Sequence, residues 1–107
     1  MSERYAFFIG RFQPLHEGHK RLIQVALDEG KPVLVGLMDT EISASNPYTV
    51  IERMAMFWDA FGDKVQTMCV PPIGEVCYGR NVDYRIRRIH LPADIERISA
   101  TAIREGE

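Results

Sequence analysis

A chain of 107 residues, 46% apolar and 26% charged, has the size and composition of one soluble globular domain. Its net charge of −2 lacks the basic excess that nucleic-acid or anionic-membrane binding calls for, so neither is expected as a partner and any basic site must be local. No apolar run approaches the ~18 residues of a membrane span. The opening residues 1–5 are too polar for a signal peptide, and Cys69 and Cys77 fit neither a disulfide framework nor zinc spacing. Partly buried free thiols in a reducing cytoplasm are the expectation.

Tyr5-Ala6-Phe7-Phe8-Ile9 is a continuous apolar run closed by Gly10, the pattern of a strand buried on both faces of a parallel sheet. Over residues 17–29, Leu22, Ile23, Val25, Ala26 and Leu27 recur near the helical spacing and Gly30 ends them, which predicts a helix. Residues 32–38 read as a second buried strand that runs into a polar loop, residues 39–46. After Asn46-Pro47-Tyr48, Thr49 is placed to N-cap another helix, with Glu52 as its capping-box partner. Ile51, Met54, Ala55, Phe57, Trp58 and Phe61 form that helix's apolar side, of which Met54, Phe57, Trp58 and Phe61 are expected in the core; Gly62 stops it. Residues 65–70 read as a third strand, ended by Pro71-Pro72. Residues 75–78 and 84–91 are expected to be further strands, and Ser99 to cap a last helix.

This alternation predicts an α/β fold: a Rossmann-like doubly wound parallel sheet of minimal size, in a single domain over residues 1–107. The link over residues 70–75 is too short for a helical crossover, so the back half is reduced or differently arranged.

In such a sheet, ligands sit beyond the carboxyl ends of the strands, and residues 10–19 lie there. Gly10 allows a tight turn and a close approach to a ligand. Gly18 leaves room for a base or phosphate at the helix start. His16 and His19 are three apart, so one helical turn places them on one face. A helix N-terminus attracts anions through its free N–H groups and its dipole. Two imidazoles there add donors and partial positive charge, which suits the charge that builds up when a phosphate is attacked. Arg11, after the glycine, reads equally as a phosphate clamp or as a surface residue at the strand end.

Gly10-Arg11-Phe12-Gln13-Pro14-Leu15-His16-Glu17-Gly18-His19 resembles the first signature of the HIGH-type nucleotidyltransferase superfamily. Its Arg-Phe-Gln-Pro lead-in resembles the archaeal type of nicotinamide-mononucleotide adenylyltransferase. Asn46-Pro47-Tyr48-Thr49 with Glu52-Arg53 resembles that family's segment after the second strand, and Ile98-Ser99-Ala100-Thr101-Ala102-Ile103-Arg104 resembles the second signature. The resemblance implies that His16, His19 and Arg104 stabilise the transition state. It implies too that Gly10, Arg11, Phe12 and Gly18 line the nucleotide, that Ser99 and Thr101 hold the β- and γ-phosphates, and that Gly79 and Arg80 lie near the base.

The activity implied is transfer of a nucleoside monophosphate, AMP first and CMP second, from ATP or CTP to a small phosphorylated acceptor, with release of pyrophosphate. No covalent enzyme intermediate is needed. Mg2+ is expected, held mainly through the triphosphate, with Asp39 a weak candidate ligand. A non-catalytic nucleotide-binding module is the alternative of a different class, and a homodimer is a candidate assembly. The archaeal enzymes are longer. The region with which they hold the nicotinamide substrate is nearly missing here, and Ser45 stands where they carry a basic residue. The resemblance therefore speaks for the superfamily more than for the acceptor.

Overall fold

The computed structural model describes residues 4–80 and 86–96. Three strands, β1 (Ala6–Gly10), β2 (Val33–Met38) and β3 (Val65–Val70), form one parallel sheet in that order. Ala6 pairs with Val33 and Gly10 with Leu37; Val33 pairs with Val65 and Met38 with Val70. Helix α1 (Glu17–Asp28) connects β1 to β2, and α2 (Val50–Phe61) followed by one 3-10 turn (Gly62–Lys64) connects β2 to β3.

The strands lie in chain order, so two right-handed crossovers put α1 and α2 on the same face of the sheet. The core sits beneath them. Val33, Val35 and Leu37, alternate residues of β2, are almost wholly buried there with Ile23 and Ala26 of α1, Phe57 of α2 and Val65 of β3. The fold is α/β and Rossmann-like, and no reversal of strand order occurs among the described residues.

The other face of the sheet carries no helix among the described residues, and this corrects the reading of β1 as buried on both sides. Phe7 is 49% exposed and Met68 on β3 is 43% exposed. The Phe7 ring lies across Gly36, where a Cβ would come within 3.0 Å of Phe7 Cζ.

Helix α2 begins at the expected capping box: the Thr49 side chain accepts from the Glu52 N–H, and the Glu52 carboxylate accepts from the Thr49 N–H. Its apolar residues, however, split into two stripes. Met54, Phe57 and Phe61 face the core. Ile51 and Trp58, on the opposite side, are 77% and 64% exposed, so the expectation that Trp58 is core fails. Counting every apolar residue as one face hid this, because positions four and seven apart make a stripe of their own.

The back half differs from expectation as well. Residues 75–80 and 86–91 form no strands. Pro71-Pro72 ends the sheet, and among the described residues that follow no crossover element returns the chain as a further parallel strand. A short helix, α3 (Ala93–Glu96), precedes the expected helix at Ser99, which lies outside the described residues. Cys69 and Cys77 are both exposed rather than partly buried.

Candidate functional site

Parallel strands carry their loops to one end, and three segments meet there: the loop after β1, the loop after β2 and the start of α1. His16 is the N-cap of α1, in extended conformation. Its Nδ1 accepts from the His19 N–H at 3.3 Å, and His19 Nδ1 accepts from the His16 N–H, also at 3.3 Å. The sequence-level pairing of His16 and His19 is thus a capping box built from two imidazoles. The rings stack at 3.5 Å with 19° between planes.

An Nδ1 that accepts a hydrogen bond carries no proton, so in the neutral imidazole the proton sits on Nε2. Both rings present Nε2–H as their remaining donor. Burial lowers the pKa of His16. Burial first, and then the charge of His16, lowers His19 to about 4. The pair is therefore neutral at physiological pH, which corrects the expected partial positive charge. Positive character at this end comes from the helix terminus, where the first N–H groups of α1, those of Glu17 and Gly18, have no partner within the helix.

The two glycines serve protein groups rather than open space. A Cβ at Gly18 would lie 2.9 Å from His16 Cε1 and 3.5 Å from the Ile95 carbonyl oxygen, so the expected room for a base is filled by His16 and α3. A Cβ at Gly10 would lie 3.0 Å from the Phe12 ring. Phe12 has a left-handed φ of 50°. Its side chain turns inward, 8% exposed, with its ring edge-on to His19 at 4.7 Å and to Phe57 at 5.1 Å. The ring expected to line a nucleotide instead backs the histidine.

Arg11 is exposed, with Nη1 donating to Asn46 Oδ1 at 3.4 Å. Two further residues hold this end together, and motif reading assigned neither a role. Gln13, 3% exposed, donates from Nε2 to the Tyr48 carbonyl at 2.9 Å and to Thr40 Oγ1 at 3.2 Å. Its Oε1 accepts the Tyr48 N–H at 2.9 Å. Arg53, 1% exposed, donates to the carbonyls of Arg11, Met38 and Thr49. The available signal for Arg53 was its helical position: it lies one turn before Phe57 on the core-facing stripe, an unusual place for a charge.

Asp39 is exposed; its backbone N–H donates to the Val70 carbonyl at 2.7 Å, and its charge acts on Arg53. The described residues contain no group of three or more His, Cys, Asp or Glu able to hold a metal ion. They do not by themselves fit a protein-borne metal site. No helix among them is long and apolar enough to cross a membrane.

Gly79 and Arg80 are exposed, nothing lies within 4 Å of a Cβ at Gly79, and neither is joined to the His16 loop. Ser99, Thr101 and Arg104 lie outside the described residues. The chain leading to them is described. Arg87 makes a two-pronged pair with Glu29, at 2.8 and 2.9 Å, just beyond the far end of α1. The Ile95 carbonyl lies beside Gly18 at its near end. The tail thus runs back along α1 to the histidine end, and its last described residue is three short of Ser99.

Residues 7–73 match the family model described as cytidylyltransferase-like. Among curated proteins, a nicotinamide-nucleotide adenylyltransferase of Thermococcus sibiricus is 37% identical over 59 residues, which is 53% of this chain and 32% of that protein. The corresponding protein of Methanosarcina acetivorans is 36% identical over 75 residues, 68% of this chain and 43% of that one. That of Halobacterium salinarum is 40% identical over 68 residues, 61% of this chain and 38% of that one. Among solved structures, a bifunctional NMN adenylyltransferase/ADP ribose pyrophosphatase of Francisella tularensis, crystallised with AMP and a manganese ion, superposes with a TM-score of 0.57 at 28% identity. The superposition covers 66% of this chain and 23% of that one. The matches thus span under half the length of these relatives.

Proposed function

The chain belongs to the cytidylyltransferase-like family, and from that premise we propose that it transfers AMP from ATP to a small phosphorylated acceptor and releases pyrophosphate. The observation that carries the reading is the His16–His19 pair, whose two Nε2–H groups are fixed at the start of α1 by reciprocal Nδ1 bonds. Adenylyl rather than cytidylyl transfer is favoured by the relatives named above, all adenylyltransferases by name, and by the Arg11-Phe12-Gln13-Pro14 lead-in.

An acceptor oxygen attacks the α-phosphorus in line. The new O–P bond forms, the bond to the α,β-bridging oxygen breaks, and pyrophosphate leaves with its electron pair. His16 and His19 donate from Nε2 to the phosphate oxygens that gain charge, and the free N–H groups of α1 add to this. Because the imidazoles are already oriented and neutral, they cost little reorganisation when the charge develops. Arg11 supplies a mobile positive charge. Ser99, Thr101 and Arg104 would complete the phosphate site from the second signature, Gly79 would let the base approach the backbone, and Arg80 would reach phosphate or acceptor. A divalent cation, Mg2+ in our proposal, would arrive with the triphosphate and be held mainly by it, with Asp39 a weak candidate ligand.

The family match ends at residue 73, so it supports the phosphate half of the site more than the acceptor half. Nicotinamide mononucleotide is the acceptor suggested by the relatives' names. The free, exposed Cys69 and Cys77 suit a reducing cytoplasm as the place of action.

The test is incubation with magnesium, α-labelled ATP or CTP, and a panel of phosphorylated acceptors that includes nicotinamide mononucleotide. Labelled product and pyrophosphate from ATP are expected. Nucleotide binding without transfer to any acceptor would favour the non-catalytic module instead.

A further inference from the structure

We infer that Arg53 is a positioning residue for the His16–His19 pair, acting through the backbone of Arg11 and the ring of Phe12. The inference rests on the function proposed above only in taking that pair as the phosphate-binding group.

A guanidinium that is 1% exposed needs partners for its charge and its protons. Among the described residues no carboxylate lies within ion-pair distance of Arg53, and the charge of Asp39 acts on it only from farther away. Arg53 takes carbonyls instead. Nη1 donates at 2.8 Å to Arg11 and at 2.8 Å to Met38, and Nε donates at 3.2 Å to Thr49. These three oxygens belong to the loop after β1, the last residue of β2 and the N-cap of α2. One buried side chain thus ties the loop after β1 to the end of β2 and to the start of α2.

The bond to Arg11 has a consequence for the histidines. The Arg11 carbonyl belongs to the peptide plane that sets φ of Phe12. That φ is 50°, a value a bulky L-residue holds only where its surroundings hold it. With the plane pinned, the Phe12 ring folds back beneath the end of β1 and meets His19 edge-on at 4.7 Å. His19 is then enclosed by Phe12 on one side and by the stacked His16 on the other. Release of the 11–12 peptide would let Phe12 leave, and His19 would lose the wall that keeps its Nδ1 on the His16 N–H.

The experiment reads the imidazoles directly, by long-range 1H–15N NMR of His16 and His19, in the wild type, Arg53→Lys, Phe12→Leu and the double variant. The wild type is expected to show both rings as Nε2–H tautomers. Arg53→Lys and Phe12→Leu are each expected to give His19 a mixed-tautomer signal while the far-ultraviolet circular dichroism stays native. With nucleotide, each is expected to lower kcat by roughly tenfold or more while KM for ATP changes by less than about threefold, because orientation rather than binding is lost. The double variant should be no worse than the weaker single, since both act on one path. Unchanged His19 signals in folded Arg53→Lys, or additive effects in the double variant, would overturn the inference. If Arg53→Lys does not fold, Phe12→Leu decides by itself: a wild-type His19 signal there defeats the relay. Absence of transfer in the wild type would defeat the proposed reaction, while the NMR result still decides the role of Arg53.

Discussion

His16 and His19 satisfy one another: each Nδ1 accepts the other's backbone N–H at 3.3 Å, and the rings lie face to face at 3.5 Å. One nitrogen of each ring, Nδ1, makes the capping bond, and the other, Nε2, takes no part in it. The two nitrogens can therefore be separated by substitution. Asparagine at position 16 keeps an acceptor where Nδ1 was but has nothing where Nε2 was. His16→Asn is expected to keep the thermal midpoint near that of the wild type, whereas His16→Ala should lose about 1 kcal/mol by denaturant titration. Both should lose transfer activity by roughly 100-fold or more. Full turnover in His16→Asn would remove Nε2 from the mechanism.

The same pair makes stability depend on acid. Burial keeps both rings neutral in the folded chain, with His19 pushed down to about 4 and His16 below its ordinary value. Free histidine titrates near ~6.5. Between these limits the unfolded chain binds more protons, so stability is complete above pH ~6.5 and is lost as the pH falls below it. For His19 the loss levels off near pH 4. It should be on the order of 2 kcal/mol, discounted because the ring is partly solvated. Denaturant titrations from pH 7 to pH 4 measure it, and His19→Gln should flatten the profile.

Gly18→Ala places a methyl group 2.9 Å from His16 Cε1, so the His16 ring must shift. We expect a loss of about 1–3 kcal/mol, as for other overpacked sites, together with a fall in transfer rate. Gly30→Ala is the control. Gly30 has φ of 78° with open space around it, so the substitution strains the backbone and leaves the site alone. It should cost about 1 kcal/mol with activity unchanged.

Gln13 joins the two loops by using its amide as a backbone group would, giving to and taking from Tyr48 at 2.9 Å each. Glutamate keeps the acceptor and turns the donor into an oxygen facing the Tyr48 carbonyl. Gln13→Glu should therefore destabilise by about 1–3 kcal/mol at neutral pH. The difference from wild type should shrink in acid, where the new carboxyl can donate again. Chemical denaturation at two pH values distinguishes this from a plain packing loss, which would not change with pH.

Much of this protein was legible from local pattern. The three strands, both long helices and the Thr49–Glu52 capping box depend on residues close in sequence, and they appear where apolar spacing, Gly30, Gly62 and Thr49 place them. The pairing of His16 with His19 is local in the same way, because three residues make a turn. What the sequence could not show is anything that depends on which face is covered. Phe7 and Trp58 read as core, yet they are exposed because both helices pack on one side of the sheet and α2 buries only one of its two apolar stripes. The readings of Gly10 and Gly18 as room for a ligand failed for a similar reason: Phe12, His16 and α3 fill those spaces. Arg53 and Gln13 reach partners up to 42 and 35 residues away, across loops whose approach no spacing rule records. By itself the sequence determined the helix start with its paired histidines and the strands that present it. Only the tertiary structure decided that its histidines are neutral, backed by Phe12 and held by a buried arginine, because burial and long-range carbonyl contacts exist only once the chain has folded.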